Sequence, residues 1–73
     1  MKYDHKQIAD ELEATANGTS YFGNALYVAR DFPWTTHNDR ALLTRYLHGT
    51  ASVGDKAKLI EFAHLSRNQG EVK

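Results

Sequence analysis

The sequence predicts an all-α fold, a compact bundle of four short helices. Apolar residues recur at helical spacing in four separate stretches. Each stretch opens on a capping residue, and the first three close on glycine or proline. No convincing strand competes. The best rival, residues 25–29, alternates poorly and has no hairpin partner after it.

The first helix is expected over residues 5–16. Asp4 with Gln7 three residues on reads as a capping pair. His5, Ile8, Leu12 and Ala16, with Ala9 beside them, form a narrow apolar stripe, and Asn17-Gly18 supplies the left-handed stop. The second helix is expected over 20–31, with Ser20 as its N-cap and Phe32-Pro33 as its end, because proline forces the preceding residue out of the α region. Phe22, Ala25, Leu26 and Ala29 share one stripe, widened by Tyr21 and Val28. A helix apolar around most of its girth packs on more than one side, which places this one centrally. The stretch from Tyr21 to Trp34 also holds five of the eight aromatic residues and the single proline.

Thr36 with Asp39 repeats the capping spacing and opens a third helix over 37–48, buried through Leu42, Leu43, Tyr46 and Leu47 and stopped by Gly49. Ser52 with Asp55 opens a fourth over 53–67, with Leu59, Phe62 and Ala63 inward, Ile60 at the border and Leu65 outside the stripe. Residues 1–67 make one domain. Residues 68–73 are polar and read as a frayed tail.

Seventy-three residues suffice for one small domain of modest stability. The chain has no cysteine, so disulfides and thiolate metal sites are excluded. No apolar run is long enough to span a bilayer and no leader is visible, so the expectation is a cytoplasmic protein without membrane contact. Nine basic residues balance nine acidic ones. The balance is uneven along the chain: residues 1–17 carry two basic and four acidic side chains, and residues 37–73 carry six and four. Opposite ends of opposite sign are expected to pack together.

Catalytic motifs are missing. His5, His37, His48 and His64 have no ligand spacing, so neither metal nor cofactor is expected. Thr35-Thr36-His37-Asn38-Asp39 places hydroxyl, imidazole and carboxylate in a row, but triads assemble in space, and these residue types also suit a helix start. There is no nucleophile elbow, phosphate-binding glycine loop or dinucleotide fingerprint. The chain is therefore not expected to be an enzyme.

Four residues are candidates for binding a partner. Asn24, Tyr27 and Arg30 lie on the side of the second helix that its core stripe leaves free, and Tyr and Arg dominate interface hot spots. Trp34, beside Phe32 and Pro33, is either a recognition residue or a plug sealing one end of the bundle. The expected partner is another protein, or a second copy of the chain as a homodimer.

Two resemblances bear on that partner. Gln7-Ile8-Ala9 with Leu12 resembles the first helix of a helix-turn-helix, which implies a DNA-binding regulator. The pattern departs at Glu13, where a glycine is usual, and the second helix carries a single basic residue where phosphate contacts draw on several. The opening Met1-Lys2-Tyr3-Asp4, followed by Ile8-Ala9 and Leu12, resembles the short accessory proteins of temperate phages and mobile elements. That resemblance implies a small non-catalytic protein that binds and modulates a larger host or phage component.

Overall fold

Local capping chemistry sets where most of the helices begin and end. The computed structural model describes residues 4–71, arranged as α1 (His5–Asn17), α2 (Gly23–Ala29), α3 (His37–His48) and α4 (Val53–Glu71). Asp4 caps α1, its carboxylate accepting the Lys6 amide at 3.0 Å. Gln7 does not complete the expected box; its side chain donates to Glu11 instead. Thr36 and Asp39 form a full capping box at the start of α3. Gly18 and Gly49 end α1 and α3 at φ 76° and 73°, a backbone region costly for any residue with a Cβ.

The second helix is shorter than its apolar pattern predicts, seven residues from Gly23 rather than a helix from 20 to 31. Ser20 is not its N-cap. The Thr19 amide donates to the Ala14 carbonyl at 3.1 Å, so the chain after Gly18 is still wrapped on the last turn of α1. Thr15, buried on α1, then accepts the Phe22 amide through its hydroxyl at 3.2 Å. A residue of another helix thus meets a donor that Ser20 was expected to satisfy. At the far end the Asp31 and Phe32 amides turn tightly back to Val28 and Ala29. The Thr35 hydroxyl donates to the Ala29 carbonyl at 2.6 Å, closing the turn through Pro33.

The fourth helix is longer than predicted. It continues through Glu71, so residues 68–71 extend it rather than forming a separate tail; residues 72 and 73 lie outside those described. Once Ser66 and Arg67 are docked on the rest of the molecule, each further residue adds a backbone hydrogen bond at little extra cost.

The four helices form a closed ring in which each contacts its two neighbours, and the α1–α4 seam is by far the most extensive contact. The centre of the fold is therefore this pair and not α2, which is wedged between α1 and α3 by Ala25, Leu26 and Ala29. Ile8, Ala9 and Leu12 of α1 meet Leu59, Phe62 and Ala63 of α4 in one core, completed by Phe32, Leu42 and Leu43. No described helix is long and apolar enough to cross a membrane.

Ion pairs close two of the four contacts. Across the α1–α4 seam, Arg67 donates to Asp10 at 2.5 Å and Glu13 at 2.6 Å, joining the acidic first helix to the basic half of the chain as the charge distribution predicts. At the α3–α4 turn, Arg45 grips Asp55 through two bonds of 2.8 and 2.9 Å. Asp55 also accepts the Ser52 amide at 3.0 Å, so one buried carboxylate caps α4 and anchors α3. The Arg45 bonds first, and the Ser52 amide second, hold the Asp55 carboxyl well below the usual carboxylate range. A depressed folded-state pKa contributes stability above the unfolded value of about 3.9, and that stability is lost as pH falls below it. Urea melts of the native chain should accordingly shift to lower midpoints on acidification below about pH 4. Asp55→Asn should be less stable at neutral pH and show a flatter acid limb. Parallel acid limbs for the two proteins would show that Asp55 is not responsible.

Candidate functional site

The outward face of α2 is set by what its inner face must bury. Ala25, Leu26 and Ala29 are buried between α1 and α3. Helical geometry then turns Asn24 and Tyr27 outward, and both are exposed, Tyr27 at 58%. Arg30, at the C-cap, lays its guanidinium carbon 5.8 Å from the centroid of the Tyr27 ring. This cation–π approach orients both side chains before any partner arrives. Arg40 reaches over from α3 and donates to the Arg30 carbonyl at 3.3 Å, bringing a second guanidinium to the same edge. The result is an exposed aromatic ring with one cation, Arg30, against it, a second, Arg40, bonded to the backbone at the end of the helix, and Asp31 also exposed just beyond that end.

Trp34 goes elsewhere. Its indole N–H donates to the Ser66 hydroxyl of α4 at 3.1 Å. Its ring stands edge-on to His5 of α1 at 5.0 Å and leans on Phe32 at 4.6 Å. Phe32 in turn stacks with Phe62 at 6.5 Å. Trp34 therefore seals the end of the α1–α4 seam and is tied to different elements from the Tyr27–Arg30 pair. The reason is the tight turn at Pro33, which folds the α2–α3 connection back over the start of α1.

Several side chains with structural or surface roles escape a reading by periodicity. Thr15 and Ser66 are buried hydroxyls whose partners, Phe22 and Trp34, are distant in sequence. Asp55 is recognisable as a cap but not as the partner of Arg45. Leu65, which falls outside the core stripe, is 40% exposed on the wall of a groove of about 750 Å³ between α3 and α4. Leu42 and Phe62 line that groove together with Arg45, Lys58 and Glu61.

Among the described residues no cluster of histidine and acidic side chains is placed to hold a metal ion. Compared with protein-family models, with curated proteins and with solved structures, the chain shows no match.

Proposed function

We propose that this chain is a small non-catalytic interaction module that binds another protein, or a second copy of itself, through the outer face of α2. The observation that carries this reading is the exposed Tyr27 ring with Arg30 already laid against it. An exposed tyrosine on a helix whose inner face is fully packed adds little to the fold, because its ring area stays in water. In an interface the same ring can be buried while its hydroxyl remains at a wetter rim, and prior ordering by Arg30 lowers the entropy lost on binding. With Arg30 against it and Arg40 at the end of the same helix, the complementary surface is one that offers carboxylates. The resemblance to phage accessory proteins makes a larger phage or host protein the natural class of partner.

Replacing Tyr27 by Ala is expected to weaken association by about 1–4 kcal/mol while leaving the melting temperature of the isolated chain nearly unchanged. Thermal melts, sedimentation of the chain alone, and affinity capture with native and variant baits together provide the test. If the chain neither self-associates nor captures any protein that Tyr27→Ala fails to capture, the reading is wrong.

A DNA-binding regulator is the second reading, and it has less support. α2 itself carries no basic residue; Arg30 at its C-cap is engaged with Tyr27, and Arg45 and Arg67 are held in ion pairs. Phosphate recognition draws on several free cations and gives binding that falls steeply with salt. Micromolar affinity for mixed-sequence duplex at low salt, lost on adding salt, would promote this reading over the first.

A further inference from the structure

The outer face of α2 has two ends of different chemistry. Tyr21, just before the helix, is 61% exposed, and its ring lies against Gly23. A Cβ at Gly23 would come within 3.3 Å of that ring, so a residue of low helix propensity makes room for the tyrosine at the start of the helix. Positions 23, 27 and 30 are four and three residues apart and fall on one helical face. Along that face the Tyr21 ring comes first, then the Tyr27 ring, then the Arg30 guanidinium laid on Tyr27. The first end is aromatic and uncharged. The last end carries Arg30, with Asp31 exposed just beyond it and Arg40 bonded to the Arg30 carbonyl.

A two-fold axis running across α2 would present this face to a second copy in reverse order. Residue 23 of each copy then stands opposite residue 30 of the other, and the two Tyr27 rings meet beside the axis. Arg30 of each copy reaches the exposed Tyr21 ring of the other while keeping its own Tyr27, a second cation–π contact. The two Arg30 side chains are about 10 Å apart along the helices, close to the screening length at physiological salt. The parallel order would set Arg30 against Arg30 and leave both Tyr21 rings without a cation. A surface offering only carboxylates would serve the Arg30 end and nothing else. The face itself supplies a complement to both ends, and an isologous contact of this kind closes at a dimer.

We propose that the occupant of the α2 face is a second copy of this chain, docked with its α2 antiparallel across Tyr27 so that Arg30 of each copy meets Tyr21 of the other. The inference rests on the reading of this face as an interface and names what covers it.

Sedimentation equilibrium of the full chain from about 10 μM to about 1 mM, a range suited to a small contact, provides the test. A monomer–dimer equilibrium with no larger species is expected. Tyr27→Ala, Arg30→Glu and Tyr21→Arg should each weaken it at least about ten-fold. Mixed in equal amounts, the Tyr21→Arg and Arg30→Glu proteins should recover dimer. Their heterodimer pairs the introduced guanidinium with the introduced carboxylate at one end and keeps the native Tyr21–Arg30 contact at the other. Tyr21 and Tyr27 are largely exposed, so their variants retain the fold, which melts verify. Should Arg30→Glu lower the melting temperature, Arg30→Gln takes its place in the single-variant comparison. A chain that stays monomeric throughout, a dimer indifferent to these substitutions, or a mixture no more associated than its components would each overturn the proposal. If a monomeric chain still captures another protein in a Tyr27-dependent way, the dimer is wrong and the interface reading stands; if it captures none, both are wrong.

Discussion

Leu26→Ala is expected to lower the stability of the fold by about 2–5 kcal/mol, the range for truncating a fully buried leucine. Leu26 has no exposed surface and sits where α2 is wedged between α1 and α3. Its loss removes apolar burial and leaves a cavity beside Ala25 and Ala29, whose side chains are too short to fill it. A domain of this length has on the order of 4–11 kcal/mol of stability in total, so the variant should be substantially unfolded well below the native melting temperature. Leu42→Ala, at the α3–α4 contact, belongs to the same class. Chemical denaturation with both variants measures the effect. Midpoints indistinguishable from the native chain would mean that these side chains do not pack as described.

Trp34→Ala is expected to cost about 3 kcal/mol or more, near the lower end of the range for large aromatic truncations because the ring is only half-buried. Three consequences add. The edge contact with His5 and the packing on Phe32 disappear, and the fully buried Ser66 hydroxyl loses the donor it accepts from. An orphaned buried hydroxyl costs about 1–3 kcal/mol by itself. Trp34→Phe separates these effects, since it restores apolar area but not the N–H. Pairing Trp34→Phe with Ser66→Ala should then recover part of the loss, because no unpaired hydroxyl remains. Tryptophan fluorescence of the native chain and urea melts of the variants provide the readout. A Trp34→Ala protein as stable as the parent would return Trp34 to the list of surface recognition residues.

How far the sequence could be read depends on the range of the interaction involved. The Thr36–Asp39 box, the glycine stops at 18 and 49 and the inward faces of α1, α3 and α4 all rest on residues within one or two turns of each other. Periodicity and capping preference capture such relations directly. Ser20 fails as a cap for the opposite reason: the amide it was to satisfy belongs to Phe22 and is taken by Thr15. That bond depends on how the link folds back on α1, and a propensity at Ser20 carries no information about it. The fourth helix outruns its prediction because docking through Ser66 and Arg67 offsets an unfavourable local composition.

The candidate surface divides along the same line. Asn24, Tyr27 and Arg30 fall on one face by helical geometry alone, and their exposure follows once Leu26 is buried. Trp34 could not be assigned without the fold, since its partners lie on α1 and α4, 29 and 32 residues away. By itself, then, the sequence determined the all-α class, four helices, most of their ends, most of the core and the sign of charge at each end of the chain. Tertiary structure alone decided which pair of helices forms the central seam, where α2 starts, what Trp34 seals and which surface concavities exist. Helical period and capping act over a few residues and are written in local order. Seams, plugs and pockets depend on side chains far apart in sequence, whose meeting is set by the packing of the whole chain.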